Sequence, residues 1–286
     1  MVFLQITEER TKLSNGYIMP KLAFGTYGLP KNGVETVIAD ALKAGYRHFE
    51  TAPIYQNEEA IGNALKKSGL DRDTLFITSK IPPHIKTYEG TVRVLRRTMK
   101  KLDVDFLDLV LINNPVPWGK EGQDFSKENR EVWRALETFY LEETVGVIGL
   151  SNFDAADMKA LMRTAQVKPH VNQIGVFAGH TLDDVRTFCQ RHAITVQGHS
   201  PLARGRLLRQ TWLKPLAEKE GITVPQMLLR FVYELGVMPV VKSSDMEHMK
   251  ENISIEKPLS RSTFDRLKAF EQDVRDYGPP NATSQL

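Results

Sequence analysis

The chain has 286 residues, 41% of them apolar, and a formal net charge of +3. That supports a large core, and the charge is too mild to mark a nucleic-acid partner. The single cysteine, Cys189, excludes an internal disulfide and a cysteine-based zinc cage. No segment is apolar for long enough to serve as a signal peptide or to span a bilayer, so a soluble cytoplasmic protein is expected and the sequons at Asn252 and Asn281 carry little meaning.

The first local signal is a turn. Asn15-Gly16 in "TKLSNGYIMP" lies between two short strand-like runs, which is a hairpin pattern suited to closing the floor of a barrel. Eight short apolar runs come after it in order: "KLAFGT" (21–26), "YRHFETA" (46–52), "LFITSKI" (75–81), "LDLVLINN" (107–114), "VGVIGLSN" (145–152), "HVNQIGV" (170–176), "ITVQGHS" (194–200) and "VMPVVKSS" (237–244). Amphipathic stretches alternate with them. Val34, Val37, Ile38, Ala41 and Leu42 share one helical stripe stopped by Gly45; Val132, Ala135, Leu136, Phe139 and Tyr140 share another; Val224, Met227, Leu228, Phe231, Val232 and Leu235 share a third. The basic run Arg93–Lys101 interleaves with Val92, Leu95, Met99 and Leu102 at helical spacing, and so reads as a solvated helix face. Cys189 falls on the face of Leu182 and Val185 and reads as core.

Strands that are apolar throughout suit burial on both faces, as parallel sheets require. Eight strand-helix units predict an α/β fold, a (β/α)8 TIM barrel with an N-terminal β-hairpin cap, as one domain over residues 1–286. The polar stretch 114–130 after the fourth strand and the tail from Gln272 to Leu286 are expected to shape a pocket.

In such a barrel the chemistry gathers at the C-terminal strand ends. Those ends carry Glu50 with Tyr55, then Lys80, Asn113 with Asn114, Ser151 with Asn152, Gln173, His199 with Ser200, and Lys242 to Ser244. A phenol with a pKa near 10 donates a proton poorly at neutral pH, and a lysine ammonium within reach lowers that value. The lysine in turn needs a counter-charge, which Glu50 offers. A buried Glu-Lys ion pair with a tyrosine packed beside it accounts for the same residues. The sequence holds no G-x-x-x-x-G-K-[ST] loop, H-E-x-x-H motif or G-x-S-x-G elbow, and its seven histidines lack metal-ligand spacing. "ARGRLLRQ" (203–210) sets arginines where a barrel often holds phosphate.

"RHFETAPIYQNEEAIGNAL" resembles the aldo-keto reductase signature, "FITSKI" that family's lysine strand and "LDLVLINNPVP" its histidine strand. "GVIGLSNF", "VNQIGV", "HSPLARG" and "PVVKSSDMEHMKEN" are similar to its cofactor strands. The resemblance implies NADPH as cofactor, with NADH possible, and a small-molecule carbonyl substrate. It implies Tyr55 as proton donor, Lys80 as the residue that tunes it, and Glu50 and Asn113 completing the catalytic group. Ser151, Asn152 and Gln173 would hold the nicotinamide carboxamide, and His199 would stack on its ring, where the family usually has tyrosine. Ser200, Leu202 and Arg204 would border the pyrophosphate, and Lys242, Ser243, His248 and Asn252 the adenosine end. Tyr27 and Trp118 would line the substrate mouth.

Three positions depart from the family pattern. Glu50 stands for aspartate, which lengthens the reach to Lys80 by one methylene. Asn113 stands for histidine and cannot titrate, though its amide still donates. His248 stands for the arginine that grips a 2′-phosphate, and an imidazole is mostly neutral at pH 7. Slow or specialised carbonyl reduction is expected. A cofactor-binding regulatory protein with vestigial turnover, double-bond reduction and epimerisation remain open alternatives. A monomer is the default, with no metal, nucleic acid or membrane involved.

Overall fold

The computed structural model describes residues 5–30 and 32–271. The tail expected to shape the pocket and the sequon at Asn281 lie outside the described residues. The chain opens with β1 (Arg10–Lys12) and β2 (Ile18–Pro20), paired antiparallel across the Asn15-Gly16 turn. Asn15 fixes that turn by accepting from Tyr17 N at 3.1 Å while donating to Gly146 O at 3.0 Å.

Eight parallel strands then close on themselves: β3 (Ala23–Gly25), β4 (His48–Glu50), β5 (Phe76–Ile81), β6 (Leu107–Ile112), β7 (Val145–Ser151), β8 (Val171–Gly175), β9 (Thr195–His199) and β10 (Met238–Val241), with β10 paired to β3. Around them run α1 (Val34–Lys43), α2 (Glu58–Lys67), α3 (Tyr88–Leu102), α4 (Ser126–Leu141), α5 (Ala155–Met162), α6 (Asp183–Arg191), α7 (Leu213–Glu220), α8 (Val224–Glu234), α9 (Met246–Ile253) and α10 (Arg261–Lys268). The expected TIM barrel with a hairpin cap is therefore the fold. The three expected helical stripes fall on α1, α4 and α8. The basic run lies on α3, where Leu95 and Leu102 are buried and Arg93, Arg96, Arg97 and Lys100 exposed.

The stretch 114–130 is a loop only to Phe125. α4 begins at Ser126, five residues earlier than its polarity suggests, with Asp124 just before it accepting from Ser126 N at 2.8 Å. Among the described residues no helix is long and apolar enough to cross a membrane.

Strand residues alternate between two cores, as the pleat demands. Outward-facing Ile77, Ile81, Val110, Ile112, Ile148 and Leu150 join the helices in the larger core. Inward-facing Phe76, Leu109, Leu111, Val147 and Val171 meet Leu13 and Met19 of the hairpin region, which plug the floor. Gly149 has this crowding as its cause: a Cβ there would come within 2.5 Å of Val171 O. Two to four residues further up the strands the inward positions turn polar, and that parity delivers Glu50, Lys80, Ser151, Gln173 and His199 to one rim.

Candidate active site

Lys80, at the rim end of β5, organises the site. It is 4% exposed, and its ammonium reaches Glu50 Oε2 at 3.1 Å, Gln173 Oε1 at 2.6 Å and the Tyr55 hydroxyl at 3.3 Å. The register explains the meeting: Glu50 lies beside Thr78, one inward position below Lys80, and Ser151 pairs with Gln173 on the far side. Gln173 passes the contact down the barrel axis, since its Nε2 donates to Gln197 Oε1 at 3.2 Å and Gln197 Nε2 lies 3.7 Å from Met19 Sδ.

Tyr55 ends a short 3₁₀ turn, Pro53–Tyr55, with Pro53 at its first position. Asn57 pins this turn by donating to Thr26 O at 2.9 Å and accepting from Thr51 Oγ1 at 2.9 Å. Burial first, and then the charge of the neighbouring Glu50 carboxylate, push the phenol well above its usual 10. The lowering by Lys80 expected from the sequence does not follow: the ammonium lies 3.3 Å from the hydroxyl, but burial and the Glu50 charge set the direction, which is upward. The phenol is therefore fully protonated. Glu50 Oε1 is buried without a hydrogen-bond partner of full geometry, which makes it the nearest competitor for that proton.

Asn113 closes the group from β6. Its carbonyl accepts from Asn152 Nδ2 at 3.0 Å, whereas its own carboxamide has no partner among the described residues and faces the cavity. Because Asn152 points its nitrogen at that carbonyl, its oxygen must face His199, whose Nε2 lies 2.9 Å away. His199 Nε2 thus carries the proton, and Nδ1 is left to accept from Ser200 Oγ at 3.3 Å. Burial, with Lys80, Arg204 and His180 adding, pushes the His199 imidazole down to about 3, so the ring is neutral. Gly175 makes room for it: a Cβ there would meet His199 Cε1 at 3.2 Å.

A cavity of about 660 Å³ opens over these residues. It gathers Tyr27, Glu50, Tyr55, Lys80, Asn113, Trp118, Ser151, Asn152, His199, Ser200, Leu202, Arg204 and Lys242. Tyr27 packs edge-on against Tyr55 with ring centres 5.1 Å apart. Four predicted residues do not border the cavity. Gln173 lies beneath it, behind Lys80, and Ser243, His248 and Asn252 lie beyond its outer end. His248 is exposed on the first turn of α9, 4.0 Å from the Asp245 carboxylate.

The cavity also includes residues the sequence did not single out, among them Gly25, Ile54, Leu208 and Val241. Each lies in a stretch the sequence marked, Gly25 and Val241 in apolar runs, Ile54 in the signature and Leu208 in the arginine-rich turn, but none stood out from its neighbours. A smaller cavity of about 240 Å³ lies on the other side of His199, lined by Phe153, Phe177, His180 and Val185 among others.

The residues fit a dinucleotide on structural grounds. The wall from His199 to Lys242 offers a flat neutral ring, then Ser200, Ala203, Arg204 and Gly205, all with positive φ. Such a backbone turns amides toward an anion. The Arg204 guanidinium has no partner among the described residues, and Lys242 Nζ contacts only Gly28 O, at 3.2 Å. Among the described residues no group of three or more His, Cys, Asp or Glu is arranged to hold a metal.

The sequence model of the family described as "Aldo/keto reductase family" matches residues 21–272. Glyoxal reductase of Bacillus subtilis is 35% identical over 275 residues, covering 95% of this chain and 96% of its own. A crystal structure of an aldo/keto reductase from Brucella melitensis superposes with a TM-score of 0.85 at 34% identity, over 94% of this chain and 98% of that one. An aldo-keto reductase of Bombyx mori, solved in complex with NADP, superposes with a TM-score of 0.84 at 27% identity, over 96% and 97%.

Proposed function

The chain belongs to the aldo/keto reductase family and is an oxidoreductase, and from that premise we propose that it reduces an aldehyde or ketone with NADPH, accepting NADH as well. The observation that carries this reading is Lys80 bridging a protonated Tyr55 and Glu50 under an open cavity, with the free Asn113 carboxamide beside them. When bound, the reduced nicotinamide supplies the hydride.

The chain's residues supply the rest. Tyr55 accepts from Lys80, which leaves its O–H to donate, and Asn113 offers an N–H to the same substrate oxygen. Negative charge developing on that oxygen meets two preplaced donors. The Tyr55 proton then passes to it, and Lys80 stabilises the phenolate while Glu50 balances Lys80. Ser151 and Asn152 hold the carboxamide of the cofactor, His199 backs its ring, and Arg204 and Lys242 face its diphosphate. Tyr27 and Trp118 select the substrate.

Turnover is slow in this reading. Burial and Glu50 hold the phenol's pKa well above neutral pH, so its proton leaves reluctantly. The 2′-phosphate contributes little to affinity, because His248 is exposed beside an acidic neighbour. The test is a titration with NADPH and NADH by cofactor fluorescence, followed by absorbance of the reduced cofactor with an aromatic aldehyde. The expected result is two affinities within about tenfold of each other and oxidation below the common rate of about 10 per second. Binding without oxidation would move the site to a regulatory role, and absence of binding would remove the reading altogether.

A further inference from the structure

Outside the residues assigned above, buried Lys86 has no acid to pair with among the described residues. Lys86 precedes the Thr87 cap of α3, is 8% exposed, and spends all three of its N–H bonds on neutral oxygens: Asn129 Oδ1 at 2.6 Å, Asn114 O at 2.8 Å and Pro115 O at 2.9 Å. Asn129, buried on α4, donates its own amide to Pro115 O at 2.9 Å. Two charged groups face Lys86, Asp157 of α5 and Glu128 of α4, and neither forms an ion pair with it. Burial pushes its ammonium down to about 8.

The need for such a clamp arises in "NNPVPWG". Pro115 and Pro117 have no N–H, and the segment's own bonds, Asn114 Nδ2 to Val116 O at 2.7 Å and Lys120 N to Pro117 O at 3.0 Å, leave the Asn114 and Pro115 carbonyls to donors from elsewhere. The segment carries Asn113 and Asn114 at its start and Trp118 at its crest, all three lining the main cavity. Asn152 fixes the near side through Asn113 O, and Lys86 fixes the next two carbonyls. Three converging acceptors match the tetrahedral donors of an ammonium, and a planar guanidinium cannot reproduce them.

We propose that Lys86 is a positioning residue that holds the Asn113–Trp118 segment against the substrate, and so sets carbonyl binding without touching the cofactor's seat. This rests on the carbonyl-reductase reading, so parent turnover is measured first. A parent that oxidises no cofactor sinks both ideas, whereas a working parent isolates this one.

In Lys86→Met the KM for the aldehyde should rise about tenfold or more, since displacements of this kind are costly, with the NADPH dissociation constant unchanged. A KM within twofold of the parent, or a cofactor affinity that falls in step with it, overturns the proposal. If that variant fails to fold, the parent still decides. Its KM should climb as pH passes about 8 while cofactor affinity stays level, because a neutral amine keeps only two N–H donors. Lys86→Arg should show a raised KM with no such climb. A parent KM that is flat from about pH 7 to 9.5 refutes the clamp.

Discussion

The two ends of this barrel each set a tyrosine, a carboxylate and a cation together, and use them differently. At the floor, Tyr17 donates to Asp108 Oδ1 at 2.9 Å, while Arg72 and Ile77 N donate to Oδ2 at 2.6 and 2.8 Å. At the rim, Tyr55, Glu50 and Lys80 form the corresponding trio. Both phenols are pushed above their usual pKa, first by burial and then by the neighbouring carboxylate. The difference lies in what is left over. Both oxygens of Asp108 are engaged, and the Tyr17 proton is committed to one of them. At the rim a carboxylate oxygen and a carboxamide stand unpartnered, and the tyrosine accepts from its lysine. A carboxylate with both oxygens engaged stabilises a fold, even though Arg72 Nε beside it is left unpartnered, and one with an oxygen to spare under a cavity is available for a ligand.

The widest break between the two ends should come from the tyrosines. Tyr55→Phe should cut turnover by about 10²–10⁴-fold, the usual worth of a positioned proton donor, with NADPH affinity and thermal midpoint unchanged. A rate within threefold of the parent would show that the proton comes from elsewhere.

Next comes Asp108→Asn, which should lose about 3 kcal/mol in denaturant unfolding, the low end for a broken buried pair because Arg72 is 31% exposed. Its turnover per folded molecule should match the parent. Tyr17→Phe should follow the same pattern at about 1–2 kcal/mol, and loss of activity in either would mean that the floor is not purely structural.

Smaller still, Glu50→Asp withdraws the competing oxygen from Tyr55 and should raise turnover about two- to fivefold in steady-state assays. A fall instead would show that the full length of Glu50 is needed to reach Lys80.

The last effect is a slope. A lysine held at about 8 when folded, against its ordinary 10.5, disfavours folding while charged, and that penalty disappears as pH rises from 8 toward 10.5. The stability of the parent relative to Lys86→Met should therefore increase across that window, read as the difference between their thermal midpoints.

The strands were legible because inward and outward faces are both buried, so all eight stand out as largely apolar runs. The hairpin was legible from Asn15-Gly16 alone. Helices such as α5 and α9 lack a broad apolar stripe and depend on caps: Asp154 accepts from Ala156 N and Asp157 N, and Asp245 from His248 N. The convergence of Glu50, Tyr55 and Lys80 could be argued from strand ends, but the sharing of Lys80 with Gln173 depends on register across the barrel.

Lys86 was invisible. In "PPHIKTYEG" it reads as a surface lysine, and only Asn129, on a helix 43 residues away, shows that it is buried. His48 misleads in the opposite sense. It lies in the signature stretch, yet it is a neutral core ring on Phe76, with burial pushing it down to about 3.

The hairpin plug has a consequence for traffic. With Leu13 and Met19 packed into one end of the barrel, the cavity over Lys80 lies toward the other among the described residues. A ligand that settles against Lys80 shares the cavity with Tyr27, Trp118 and Leu208, which line it. Two ligands sharing that cavity queue, so the deeper one arrives first and departs last, and an occupant of the lip locks in the one behind it.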